Sequence, residues 1–68
     1  MTTNYLMETT SNETLAYSAM MCAISARNSI KAARKMSGDK LRDELHHIKL
    51  SRRHIKMCAQ ILTQRATA

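Results

Sequence analysis

The chain has no proline, no tryptophan and no phenylalanine, a single glycine, two tyrosines and two cysteines. Each scarcity removes a class of protein. One glycine cannot build a glycine-rich loop that cradles phosphate. Tyr5 and Tyr17 are too few for an aromatic platform that stacks bases. Cys22 and Cys58 allow at most one intrachain bridge, far from the dense framework of small secreted scaffolds, and neither a paired-cysteine knuckle nor an HExxH motif offers a zinc site. Carboxylates are also few, five against eleven Lys and Arg, and they fall mostly near expected helix ends. Catalysis therefore has no support. The amino-terminal stretch MTTNYLMETTSNE lacks the basic start and continuous apolar segment of a signal peptide, so a cytoplasmic location is expected, with both cysteines reduced and packed as small apolar side chains.

What is present is a short chain of 68 residues, one domain at most, and a chain of that size buries only about 60% of its unfolded surface. Such chains lean on disulfides, metals or oligomerisation. Leu15 to Ala26, LAYSAMMCAISA, is a run without a single charge. Leu, Ala and Met favour a helix there, yet a helix apolar on all sides cannot lie on the surface of a small monomer. It is also shorter than the roughly 20 apolar residues that span a bilayer. No transmembrane segment is expected, and a partner is, most simply a second copy of the chain.

The pattern divides into an arm, a helical hairpin and a frayed end. Residues 1–10 are Thr-rich and expected to be flexible, with Tyr5, Leu6 and Met7 able to fold back. Ser11 or Asn12 can cap a first helix, with Glu13 in its first turn at the positive end of the dipole. That helix is expected over 11–36. Ser37-Gly38-Asp39 is the turn, Gly38 supplying a left-handed residue after the first helix and Asp39 capping the second. The second helix is expected over 39–64, with 65–68 fraying. Two helices joined so tightly run antiparallel, so the fold class is all-α.

Helical phasing assigns the faces. On the first helix Leu15, Ala19, Cys22, Ala26, Ser29, Ala33 and Met36 form one seam. On the second, Leu41, Leu45, Ile48, Ile55, Ala59 and Leu62 follow alternating spacings of four and three, interrupted only by Arg52. Small side chains on one helix let the larger ones of the other approach. Tyr17, Met20, Met21 and Ile24 then point away from the seam, as do Leu50, His54, Met57 and Ile61. These leftovers are expected to meet in a homodimer resembling a four-helix bundle; a larger oligomer, or a Met-rich groove for a foreign helix, is the other solution.

Charge is skewed along the chain. Residues 1–26 carry only Glu8 and Glu13, whereas residues 27–68 hold all eleven cations against Asp39, Asp43 and Glu44. Arg42, Lys49, Arg53 and Lys56, with His46 beside them, fall within a band of about 80° on the second helix, and Arg52 adjoins it. Arg27, Lys31, Arg34 and Lys35 take the outer side of the first. A row of cations at helical spacing suits an anionic partner, either an acidic protein surface or the phosphates of a nucleic acid. No short recognition helix of a DNA-binding helix-turn-helix is present. A membrane-surface peptide is a third possibility, which requires a strongly amphipathic helix with a bulky apolar face.

Four residues invite narrower readings. His47, His54 and Cys58 lie within about 40° on one face, and the His54 to Cys58 spacing is compatible with a shared ion, but the set is short of a zinc site. No metal or cofactor is therefore assigned, and these side chains are expected to pack or to be partly solvated. His54 in an apolar contact would make assembly sensitive to pH. Arg52 within the seam either sets register by reaching Glu13 or a second subunit, or snorkels outward on its long stem.

In being tiny, helical, basic and poor in motifs, the chain resembles the short accessory proteins of temperate phages of the lambda type. That resemblance implies a regulator or host-interaction factor acting by binding, in the cytoplasm of a bacterial host. The expected function is a non-enzymatic interaction protein that docks a host or phage protein through its basic helical face; the alternative is an auxiliary nucleic-acid binder.

Overall fold

The computed structural model describes residues 9–67, which form two antiparallel helices, α1 (Asn12–Ala33) and α2 (Gly38–Thr67). Of the expected arm only Thr9 and Thr10 fall within these residues; Tyr5, Leu6 and Met7 lie outside them. Ser11 caps α1 from an extended backbone, its Oγ accepting the Thr14 N–H at 3.2 Å and donating to Thr14 Oγ1 at 2.9 Å. One of the four orphan donors of the first turn is thereby satisfied. Glu13 adds a negative charge beside it.

The reversal differs from the sequence expectation in its detail. The first helix stops at Ala33 rather than 36, because the Lys35 N–H donates to Ala32 O and the Met36 N–H to Ala33 O, both at 3.1 Å. These tighter three-residue bonds use up the last carbonyls without a left-handed residue. Gly38 therefore does not end α1. It opens α2, with φ +63°, at the point where the chain swings into the new helix axis, a conformation that disfavours any residue carrying a Cβ. Asp39 lies in the first turn of α2 and meets Arg42 at 3.7 Å in an exposed pair. At the far end α2 continues to Thr67, past the expected 64. Thr63 Oγ1 donates to Ala59 O at 2.8 Å, and Thr67 Oγ1 donates to the Thr63 and Gln64 carbonyls at 3.2 and 3.1 Å, so these hydroxyls bond the backbone of the last turns. Arg65 Nη1 donates to Asn12 Oδ1 at 2.7 Å, clasping the open end of the hairpin.

The core is thin. Among the described residues its buried apolar side chains are Leu15, Ala26, Ile48 and Cys58, and the molecule measures 45 × 22 × 16 Å, one helix layer thick. On α1 the inward row follows expectation: Leu15 and Ala26 are buried, with Ala19, Cys22, Ser29 and Ala33 half-buried; Met36, in the connection after α1, is half-buried as well. On α2, Leu41, Ile48, Ile55 and Leu62 also turn inward. Their companions, however, are Glu44, Ser51, Cys58 and Arg65, not Leu45, Arg52 and Ala59, all three of which are exposed.

This corrects the seam by one position in each heptad, and Arg52 supplies the reason. The row through Leu45 and Ala59 carries Arg52 at its centre, where its charge would leave water without a partner, a cost of several kcal/mol. The row actually used puts small Ser51 and Cys58 in the middle, where they let the axes approach. Its charged members, Glu44 and Arg65, stand near the two ends of the hairpin, where their heads stay partly in water. Leaving Leu45 53% exposed forfeits only part of one apolar side chain, about 1 kcal/mol. The smaller penalty decides the phase.

Candidate interaction surfaces

Three surfaces remain once the hairpin is closed. The first is the basic ridge. Arg42, Lys49, Arg52, Arg53 and Lys56 are all exposed, as is His46, and the rotated seam places Arg42, Lys49 and Arg53 almost diametrically opposite the buried row of α2. An unbroken helix holds the ridge from Arg42 to Lys56 over about 21 Å. Of the five cations only Arg42 has an ion pair with a described residue, Asp39. Arg52 belongs to this ridge and not to the interior. Arg27 and Lys31 on α1, and Arg34 and Lys35 just past its end, are likewise exposed.

The second surface is the outer face of α1. Tyr17, Met20, Met21 and Ile24 are 60%, 50%, 44% and 47% exposed, so the uncharged run is covered on one side only. Near the turn Met21 and Ile24 border an open groove of about 420 Å³ shared with Ser25, Asn28, Ser29, Ala32 and Glu44. Leu50 on α2 is 45% exposed, whereas Met57 and Ile61 are half-buried. Ile30 and Leu45 are exposed as well.

The third is a polar cluster that the sequence placed elsewhere. His54, expected on the outward apolar face, is half-buried between the helices. Its Nε2 shares a hydrogen bond with Ser18 Oγ at 2.6 Å and lies 3.6 Å from Cys58 Sγ. The one available signal was the i,i+4 spacing of His54 and Cys58. Ser18 gave none, because its partner is 36 residues away. Cys58 has no exposed surface; burial first, and the nearby Cys22 second, push its thiol above its ordinary value. The Ser18–His54 contact also ties α1 to α2; Cys22 and Cys58 are both free thiols. His47 is exposed and apart from this cluster, and among the described residues no group of three or more His, Cys, Asp and Glu is placed to hold a metal ion.

No family model, curated protein or solved structure matches the chain. The surfaces themselves must carry any functional reading. No helix among the described residues is long and apolar enough to cross a membrane.

Proposed function

We propose that this chain is a non-enzymatic interaction protein that pairs with a second copy of itself and binds an acidic protein surface through the basic ridge of α2, in the manner implied by its resemblance to the small accessory proteins of lambda-type temperate phages. The observation that carries the reading is the ridge: five exposed cations on one rigid helix, four of them without an ion pair among the described residues. Long-range attraction from such a row steers an acidic partner and fixes its orientation. Self-association supplies the burial that a hairpin with so small a core does not provide alone, two hairpins making a four-helix assembly. In a bacterial cytoplasm a protein of this kind regulates by occupying its partner.

The same ridge favours a second reading, as an auxiliary nucleic-acid binder. Cations at fixed helical spacing can neutralise phosphates and release counterions, with strong dependence on salt. Two measurements separate the readings. Capture from a bacterial lysate is compared between the wild type and a variant with Arg42, Lys49, Arg53 and Lys56 reversed to Glu, and gel-shift titrations with duplex and single-stranded DNA are run at several salt concentrations. An acidic protein retained by the wild type and lost by the variant supports the main reading. A salt-dependent shift of DNA at micromolar protein, abolished in the variant, moves the conclusion to the second. Equal behaviour of both proteins in both assays sinks the ridge as a binding surface.

A further inference from the structure

The outer face of α1 carries a second helical seam. Glu13, Tyr17, Met20, Ile24, Arg27 and Lys31 recur at alternating steps of four and three residues, the spacing of a coiled-coil row. All six are exposed. Tyr17 and Ile24 are each about 200° around the helix from Leu15 and Cys22, so this row lies opposite the one that faces α2. Its centre is apolar, its amino-terminal end is acidic and its carboxy-terminal end is basic. None of Glu13, Arg27 and Lys31 makes an ion pair with another described residue.

The order of these charges selects an arrangement. In a parallel pair, Glu13 would meet Glu13, Arg27 would meet Arg27 and Lys31 would meet Lys31, repelling along the contact. In an antiparallel pair with its two-fold axis at the level of Cys22, Glu13 lies opposite Lys31 of the second copy, Tyr17 opposite its Arg27 and Met20 opposite its Ile24. Each position then finds a suitable partner: opposite charge, a guanidinium over an aromatic ring, or an apolar side chain. Sliding by one heptad either way spoils the match, setting Glu13 against Ile24 or Lys31 against Met20.

We infer that the occupant of this face is a second copy of the chain, bound antiparallel through the Glu13 to Lys31 row. The inference rests on the self-association part of the function proposed above and is independent of what the basic ridge binds. It also sets the shape of the assembly. Because the two rows of α1 lie on opposite sides, the four helices stand side by side in the order α2, α1, α1, α2, in place of a compact bundle. The α2 ridges then face outward at the two edges, on helices whose axes are three interhelical spacings apart, about 24–30 Å. The complex is bivalent, and its like-charged ridges are held as far apart as four helices allow.

The test begins with the unmodified protein. Sedimentation equilibrium from micromolar to near-millimolar protein reads the mass, and a carbodiimide, which joins a carboxylate to an amine without a spacer, reads the contact. Within one straight helix Glu13 and Lys31 are about 27 Å apart, so a Glu13–Lys31 link joins two chains; mixing nitrogen-14 and nitrogen-15 protein verifies this by mass spectrometry. The expected result is a dimer with that link. Glu13→Lys and Lys31→Glu each weaken the dimer about tenfold or more, and the double exchange restores it to within about threefold, with circular dichroism confirming helix in every variant. A dimer that lacks the link, and whose double exchange is as weak as the singles, overturns this interface while leaving self-association intact. A monomer at every concentration overturns both.

Discussion

Replacing Ile48 with alanine and, separately, Leu45 with alanine applies nearly the same chemical change to two positions three residues apart on α2. Ile48 is 7% exposed and packs against α1, whereas Leu45 is 53% exposed. Truncating a buried Ile to Ala removes its transfer free energy and leaves a cavity, 2–5 kcal/mol in general. The lower part of that range, about 2–3 kcal/mol, applies here because a single layer of helices can partly collapse into the gap. At Leu45 half of the side chain is already in water, so the loss is at most about 1 kcal/mol, reduced slightly by alanine's better helix propensity. A chain of this size has about 3–10 kcal/mol of total stability. Ile48→Ala thus removes a large share of it, while Leu45→Ala is nearly silent. Urea denaturation followed at 222 nm, with both variants at the same protein concentration so that association contributes equally, gives the two free energies directly. Equal losses, or a larger loss at Leu45, would show that the row through Leu45, Arg52 and Ala59 faces α1, and the account of Arg52 as the residue that sets the phase would fail.

Two further outcomes follow from single sites. Gly38→Ala meets no steric obstacle, since nothing lies within 4 Å of the added Cβ, but φ is +63°; the expected loss is about 1–2 kcal/mol, seen as a lower Tm, and a chemically synthesised chain with D-alanine at that position should not show it. Cys58 keeps its proton longer when folded than when unfolded, because burial and then Cys22 raise its thiol above the ordinary 9.0. The contribution to stability is complete below that value and is lost as pH rises from about 9, because the unfolded chain ionises first. The stability advantage of the wild type over Cys58→Ala should therefore shrink between pH 7.5 and 10, and a constant difference would contradict it.

Most of the hairpin was legible in the residues themselves. Ser11, the lone glycine with its neighbours, and the absence of proline mark where helices start and turn, because capping and backbone freedom are local properties. The inward row of α1 was legible too, since its small side chains stand out against Tyr17, Met20 and Ile24. The basic ridge needed only the helical period. The companion row of α2 was not legible, because Leu45 and Ala59 look more apolar than Ser51 and Glu44, and a sequence does not weigh an exposed leucine against a buried arginine. Arg52, which interrupted the expected row, was the one hint. His54 could not be placed without its partner, as Ser18 lies on the other helix and nothing local connects them. The order of the residues is enough for the two helices, their reversal and the charge they display, since these depend on neighbours along the chain. Which face of α2 is buried is settled only by packing. That outcome depends on the relative cost of burying Arg52 and exposing Leu45, a comparison that exists only once two helices meet.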